Sequence, residues 1–198
     1  MPEELLQLIA QKDQEAFRKF FELYKSRVYN TCLSYLQNPE DAEEISQDVF
    51  VEIYDSATSF HGRSSVNTWV YRIAINKSLD KIRFNQRKKR FALISSLFHQ
   101  DTGALKHDAP DFVHPGVSLE NKENSAIIFH AIRQLPEHQQ TVFILRQIEG
   151  LTQKEIASIM NLSEKAIESL QQRAKAKLRE LLASYYHSGR KESKRTDV

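Results

Sequence analysis

Apolar residues recur every three or four positions over most of the chain, and strict alternation is almost absent, so the pattern predicts helices and almost no strands. Residues 3–11 read as a short helix, after which Asp13 is a suitable N-cap for the next one. Phe17, Phe20, Phe21, Tyr24, Val28 and Cys32 form an apolar stripe on that helix, which places Cys32 among buried small hydrophobes. It ends near Asn38-Pro39. Asn38 can cap a second long helix with Pro39 at its first position, and Glu40 and Asp41 then sit in the first turn, where carboxylates oppose the helix dipole favourably. Ala42, Ile45, Val49 and Ile53 mark one face of this helix, with Phe50, Tyr54 and Ala57 beside it. Residues 59–65 break the period and read as a loop. A third helix starts near Ser64 or Ser65, with Val66, Trp69, Val70, Ile73, Leu79 and Ile82 as its candidate core. Arg72, Asn76, Lys77, Lys81 and Arg83 stay outside, and the helix runs into Arg87-Lys88-Lys89-Arg90.

Residues 93–119 have no sustained period and are interrupted by Gly103, Pro110, Pro115 and Gly116. They read as a flexible linker, with one helical turn around 91–98. A structureless stretch of this length is unusual inside one compact domain and argues for two. Residues 120–183 are helical again. Ile127, Ile128, Ala131 and Ile132 lead to Leu135-Pro136; Val142, Phe143, Leu145 and Ile148 follow, then Gly150. Thr152-Gln153-Lys154-Glu155 is a capping box, and Asn161-Leu162-Ser163 a short turn with Ser163 as an N-cap. Ile167, Leu170, Ala174, Leu178 and Leu181 line one face of the last helix. Residues 184–198 read as a frayed polar tail. The expected fold is all-α: two small helical domains, 1–92 and 120–183, joined by the flexible linker 93–119, the C-terminal domain a helix-turn-helix.

Charge changes this picture more than composition does. The chain carries Lys+Arg 28 against Asp+Glu 26, but unevenly. Residues 1–60 hold 5 basic and 12 acidic side chains, whereas residues 61–92 hold 9 basic and 1 acidic. An acidic block thus abuts a basic one, as solvated helix faces or as two partner surfaces. Cys 1 excludes an intramolecular disulfide framework and a multi-cysteine zinc site, and fits a reducing cytoplasm. No apolar run is long enough for a membrane span, and the N-terminus lacks a signal-peptide core. The seven His residues show no metal-ligand spacing, and neither a Gly-rich phosphate loop nor a nucleophile elbow is present. No catalytic residue, cofactor or metal is expected.

Two segments carry specific chemistry. A helix of about eight residues, a tight turn and a longer capped helix make the helix-turn-helix pattern, although a plain three-helix bundle has a similar period. The groove face of its second helix would be Ser163, Glu164, Lys165, Glu168, Ser169, Gln172, Arg173 and Lys175. The other segment is the basic third helix with its loop. There Phe60, His61, Trp69 and Tyr71 interleave with Arg63, Arg72, Lys77, Lys81 and Arg83, the mixture of stacking platforms and cations that holds single strands. Trp69 also fits a core position. Arg63, Lys77 and Lys81 are the better phosphate candidates.

Taken with their order along the chain, these segments resemble a bacterial RNA polymerase sigma factor of the extracytoplasmic-function (ECF) group of the sigma-70 family. Asn38 through Phe50, NPEDAEEISQDVF, is similar to the region 2 helix that docks on the polymerase clamp. Phe60 through Arg83, with TWVYRIAINKSLD at 68–80, is similar to the part that melts and reads the −10 element. Leu135 through Leu178 is similar to region 4, which reads the −35 element.

The resemblance implies a non-enzymatic initiation factor in the cytoplasm, with core RNA polymerase and promoter DNA as partners and an anti-sigma factor as a further candidate. It implies Glu43, Glu44, Gln47 and Asp48 for polymerase binding, and Phe60, His61, Gly62, Arg63, Ser64, Asn67, Arg72, Asn76 and Lys77 for the −10 element. Ser163, Lys165, Ser169, Gln172 and Arg173 fall at the −35 contacts. Many relatives have a basic residue where Leu170 stands and an apolar one where Gln171 stands, and Glu168 is less basic than usual, so the −35 base preference stays open. Two other classes remain beside this one: a self-sufficient regulator binding operator DNA through 152–178, and a helical adaptor for a protein partner. The basic block at 61–92 argues against the adaptor.

Overall fold

Helix boundaries follow the capping chemistry of the sequence. The structure, a computed structural model, describes residues 1–98 and 122–193. Every regular element among them is helical, and the chain divides into two units, Met1–Pro110 and Asp111–Val198.

In the first unit α1 (Pro2–Ala10), α2 (Gln14–Leu36), α3 (Pro39–Ser56) and α4 (Val66–Phe98) pack together, with a 3-10 turn at Ala57–Ser59. The Asp13 carboxylate accepts from the Ala16 N–H at 2.9 Å and starts α2. Asn38 Oδ1 accepts from the Asp41 N–H at 2.8 Å and starts α3, with Pro39 in its first turn. Ser65 Oγ accepts from the Thr68 N–H at 3.1 Å and starts α4. Each such cap contributes about 1 kcal/mol and fixes where the chain turns.

α2 is the central element, in contact with α1, α3 and α4. Its Phe20, Tyr24, Val28, Cys32 and Tyr35 are buried against Ala42, Ile45, Val49 and Ile53 of α3 and Val66, Val70 and Ala74 of α4. Three assignments on these helices are corrected. Phe21 is partly exposed, because α3 covers it from one side only, through Phe50 at 4.6 Å between ring centroids. Tyr71, a candidate stacking platform, is buried, because the inward face of α4 runs through Val70, Tyr71, Ala74, Ile75 and Ser78. Ile73 and Ile82 are only half-buried. Helix α4 also continues past Arg90 to Phe98, since no Gly or Pro occurs there to stop it.

The second unit contains α5 (Lys122–Arg133), α6 (Glu137–Phe143), α7 (Gln153–Met160) and α8 (Glu164–Ser193). Phe129, Ile132, Leu135, Val142, Ile144, Leu145, Ile156, Ile159, Ile167, Ala174 and Leu178 form its core. α6 passes into a π-helical turn, Ile144–Ile148, closed by the Glu149 N–H donating to the Ile144 carbonyl at 3.1 Å. Gly150, at φ +69°, then reverses the chain toward α7. α8 is longer than expected. Its backbone stays helical through 184–193, where a frayed tail is expected, because Gly189 is followed by the good helix formers Arg190, Lys191 and Glu192 and propagation continues across it. The linker positions 99–119 and the tail from 194 onward lie outside the described residues.

Candidate nucleic-acid interface

In the second unit the helix-turn-helix is built by three local devices. Thr152 Oγ1 accepts from the Glu155 N–H, and the Glu155 carboxylate accepts from the Thr152 N–H at 2.8 Å, completing the capping box. The Thr152 hydroxyl also donates to that carboxylate at 2.6 Å, and the two bonds the carboxylate accepts, from the hydroxyl first and the backbone N–H second, hold the Glu155 carboxyl below the usual carboxylate range. Asn161 takes the left-handed conformation, φ 54°, and ends α7; the Leu162 N–H then donates to the Ala157 carbonyl at 3.0 Å. Ser163 Oγ accepts from the Ala166 N–H at 3.2 Å and starts α8. Gln153 Nε2 donates to the Glu164 carbonyl at 2.7 Å, tying the start of α7 to the start of α8. Spacing carries no signal for this role of Gln153.

Ile167, Ala174 and Leu178 bury one face of α8, with Leu170 half-buried beside them. Ser163, Lys165, Ser169, Gln172 and Arg173 are all exposed, and the last four lie on the opposite face, together with Glu168. The Arg173 guanidinium donates to the Ser169 carbonyl at 3.3 Å and hydroxyl at 3.2 Å, which folds it along the exposed face. Gln171 is half-buried, at the edge of the packed face. The arrangement is that of a helix held from behind with a polar front, the form that enters a major groove.

The first unit presents its expected residues differently. The loop before α4 holds Phe60, His61, Gly62, Arg63 and Ser64. His61, Gly62 and Arg63 are exposed, and Gly62 takes φ +68° with open space around it. Phe60 and Trp69 are half-buried and pack on each other, 5.4 Å between centroids, so Trp69 helps anchor the base of the loop. Asn67 Oδ1 accepts from the Tyr24 hydroxyl at 2.7 Å and from Arg27 at 3.2 Å, which joins α4 to α2. Arg72 is half-buried and engaged within the structure, whereas Asn76 is exposed. Lys77 Nζ lies 3.4 Å from Glu52.

Lys81 departs most from expectation. It lies 3.1 Å from Asp41 and 2.7 Å from Glu44, with its side chain only 15% exposed. The Glu44 carboxylate, then Asp41, hold its ammonium above the usual lysine range against the opposing effect of burial. It is a bolt between α3 and α4 and not a free phosphate ligand.

Glu43, Gln47 and Asp48 are exposed on α3, while Glu44, though exposed, is committed to Lys81. Glu43 and Gln47 border a groove of about 330 Å³ lined also by Phe21, Lys25, Tyr29, Ser46 and Phe50. Periodicity assigns Phe21 to the core and so hides this groove. Among the described residues no group of His, Cys, Asp or Glu is placed to hold a metal ion.

Two family models match in the expected order: "Sigma-70 region 2" over residues 20–88 and "Sigma-70, region 4" over residues 125–178. The ECF RNA polymerase sigma factor SigW of Bacillus subtilis is 31% identical over 172 residues, 86% of this chain and 90% of that one. The chain belongs to the sigma-70 family. Within it the chain is an ECF sigma factor, a promoter-specific initiation factor that works with RNA polymerase. The ECF sigma-E factor of Escherichia coli K12 is 28% identical over 160 residues, 79% of this chain and 81% of its own.

Among solved structures, CnrH in complex with the cytosolic domain of CnrY matches at TM-score 0.64 and 23% identity, covering 92% of this chain and 97% of that one. RpoE of Bartonella quintana, in complex with the anti-sigma factor NepR, matches at TM-score 0.56 and 20% identity, covering 84% and 96%. These two likenesses concern the fold. The all-α expectation and the two sigma regions are therefore borne out. Among the described residues no helix is long and apolar enough to cross a membrane.

Proposed function

We propose that this sigma factor divides its work among three surfaces. Glu43, Gln47 and Asp48 of α3, with the groove beside them, meet core RNA polymerase. The 60–64 loop and the adjoining positions Asn67, Arg72, Asn76 and Lys77 receive the −10 element as it opens. The front of α8, with Ser163, Lys165, Ser169, Gln172 and Arg173, reads the −35 element. Glu44 supports the first surface through its ion pair with Lys81. The stretch between the end of α4 at Phe98 and α5 connects the −10 and −35 readers. The protein carries no catalysis of its own: strand opening is driven by binding energy gained on the displaced strand. It acts in the cytoplasm, where its polymerase is. An anti-sigma factor, the kind of partner named in the RpoE–NepR complex, is expected to compete for the polymerase surface.

The observation that carries this reading is the polar front of α8, exposed opposite the buried face that fixes it. Run-off transcription with core polymerase on a genomic promoter library tests it. Transcripts should start at a defined set of promoters without a separate ATP-hydrolysing activator. No transcript on any promoter, together with no binding to core polymerase, would overturn the reading.

A further inference from the structure

Asn67, one of the −10 candidates, is held by two side chains of α2 that none of the three surfaces uses. The Tyr24 hydroxyl donates to its Oδ1 at 2.7 Å, and Arg27 Nη1 donates to the same oxygen at 3.2 Å. A guanidinium is a donor only, so the atom it meets must be the oxygen, and the amide has a single orientation. Both lone pairs of that oxygen are then in use. Nδ2, the other arm of the amide, is turned away from these two donors, and Asn67 itself is exposed. Among the described residues no hydrogen bond involves Nδ2.

The two donors are themselves fixed. Tyr24 is 1% exposed, and its ring stacks on Phe20 at 4.4 Å between centroids. Burial, partly offset by the charge of Arg27, holds its hydroxyl above the usual phenol range, so it stays a proton donor. The Arg27 guanidinium lies over the Tyr24 ring, 5.6 Å from its centroid. On the other side, Asn67 stands in the first turn of α4, directly after the exposed loop, where the Ser65 cap fixes the backbone.

We propose that Tyr24 and Arg27 are positioning residues for the −10 site, and that they set Asn67 as a donor-only reader of hydrogen-bond acceptors on the opened strand. An unrestrained Asn amide turns about its last torsion and presents donor, acceptor or both. Presenting both is what a bidentate contact with the N6 amine and N7 of adenine requires. With Oδ1 occupied from α2, only N–H groups face outward. The ligand is therefore an acceptor: an oxygen or ring nitrogen of an unpaired base, or a phosphate oxygen. Because the amide is already ordered, binding does not have to freeze it, and that lowers the entropy cost of the contact. The inference rests on the promoter-binding reading above.

The test uses the full chain bound to core polymerase and a template unpaired around −10, which removes the cost of melting. Asn67→Ala should weaken binding about fivefold, the scale of one hydrogen bond. Tyr24→Phe keeps the ring and loses the hydroxyl. It should weaken binding about threefold alone and have no further effect in the Asn67→Ala background. A hydroxyl that acted only through fold stability would have the same effect in both backgrounds, and that result would overturn the proposal. So would an unchanged affinity in Tyr24→Phe alone. Asn67→Asp separates the two arms of the amide without touching Tyr24. Its carboxylate still accepts from Tyr24 and Arg27, so the thermal midpoint should not fall below the wild type. Its second oxygen meets the strand as an acceptor, so affinity should fall at least as far as in Asn67→Ala. A lower midpoint, or wild-type affinity, in Asn67→Asp would contradict the assigned orientation. One abasic site or one neutral methylphosphonate linkage at a time in the unpaired strand then locates the acceptor. Asn67→Ala should cost nothing further on the strand that has lost it; an abasic strand assigns a base, a methylphosphonate strand a phosphate. An equal cost on every strand would rule out a direct contact and overturn the proposal. A wild-type holoenzyme that bound no unpaired template would instead remove the promoter-binding reading itself, a result distinct from the others.

Discussion

α4 and α8 are both candidate DNA-facing helices, and they treat their cations differently. Along the packed part of α4, Lys77 and Lys81 lie beside the carboxylates of α3. Along the front of α8, no ion pair among the described residues engages Lys165 or Arg173. Yet the α4 segment is much the more basic in sequence. The lesson is that a segment's net charge overstates what a phosphate meets wherever an acidic helix packs alongside. The acidic block of α3 and the basic block of α4 partly cancel each other inside the first domain. The charged residues of α8 from Glu164 to Glu180 are all exposed. For the first domain, the proposed −10 contacts therefore fall chiefly on the exposed loop at 61–63 and on Asn76, since Arg72 and Lys77 are already engaged within the domain.

The strongest way to break this comparison is to ask whether the two helices belong to independent folding units. Ile53 is fully buried between α3 and its neighbours, and Ile53→Ala should destabilise the first domain by about 2–5 kcal/mol through the cavity it leaves. The core around Ile156 and Ile167 should be untouched. Hydrogen exchange should therefore show lost protection in α2 and α3 with protection kept in α7 and the start of α8. Concerted loss in both would mean that the domains are coupled.

Next in size are the DNA contacts. Arg173→Ala removes a guanidinium already laid along the α8 front by Ser169. It should weaken binding to the upstream duplex element by roughly 1–3 kcal/mol if it reads a base edge. Arg63→Ala should instead slow opening at −10. A template already unpaired around −10 should rescue Arg63→Ala, because melting has been done in advance, and should not rescue Arg173→Ala. Permanganate footprinting on the two templates distinguishes these outcomes. Equal rescue of both variants, or of neither, would remove the division of labour.

Local chemistry was legible wherever one residue decided a boundary. Asp13, Asn38, Thr152 and Ser163 all cap the helices that their side chains and positions implied. Cys32 is buried as its stripe required. The front of α8 was legible too, because a helix buried on one face leaves its opposite face determined by the period alone. What could not be read was tertiary. Whether Lys81 faces water or α3 depends on how two helices align, and no spacing within α4 encodes that alignment. Phe21 belongs to the same class: its stripe faces the core, but α3 covers it from one side only, through Phe50. Tyr71 shows the converse, a polar-tipped ring drawn inward because Val70 and Ala74 set the buried face. The π-helical turn at Ile144–Ile148 carries no sequence signal beyond the glycine after it.

A smaller effect separates a structural cation from a DNA-binding one on the same helix. Lys81→Met keeps the aliphatic stem and removes the charge that faces Asp41 and Glu44. The first domain should lose about 1 kcal/mol, the scale of an ion-pair network whose lysine is mostly covered while its carboxylates stay in contact with water. The raised ammonium value sets the direction with pH. The stabilisation is complete below the ordinary lysine value of 10.5 and disappears as pH rises through the higher folded-state value. Promoter affinity should keep its wild-type salt slope. A shallower slope in Lys81→Met would show that the ion pairs open on DNA and release Lys81 to phosphate.

The smallest expected effect tests whether the α8 front depends on the capping box behind it. Glu155 is exposed, so its link to Thr152 should contribute no more than about 0.5 kcal/mol. Its carboxyl is held below the ordinary value of 4.5 by the Thr152 hydroxyl and N–H. A depressed carboxylate contributes fully above that ordinary value and loses its contribution as pH falls through the lower folded-state value. Wild type should therefore exceed Glu155→Ala in thermal stability at neutral pH, and the gap should narrow on acidification. Glu155→Gln keeps an acceptor oxygen at the same position and should lie between the two at neutral pH, with a gap to Glu155→Ala that does not change with acid. Because Gln153 of α7 also holds the Glu164 carbonyl, a frayed first turn of α7 would loosen the start of α8. Glu155→Ala should then weaken −35 binding slightly although Glu155 is not among the groove-facing residues. A stability gap that grew on acidification would place the carboxylate against an anionic neighbour and contradict the capping geometry. An intact gap with unchanged −35 affinity would show that α8 is held by Ile167, Ala174 and Leu178 alone.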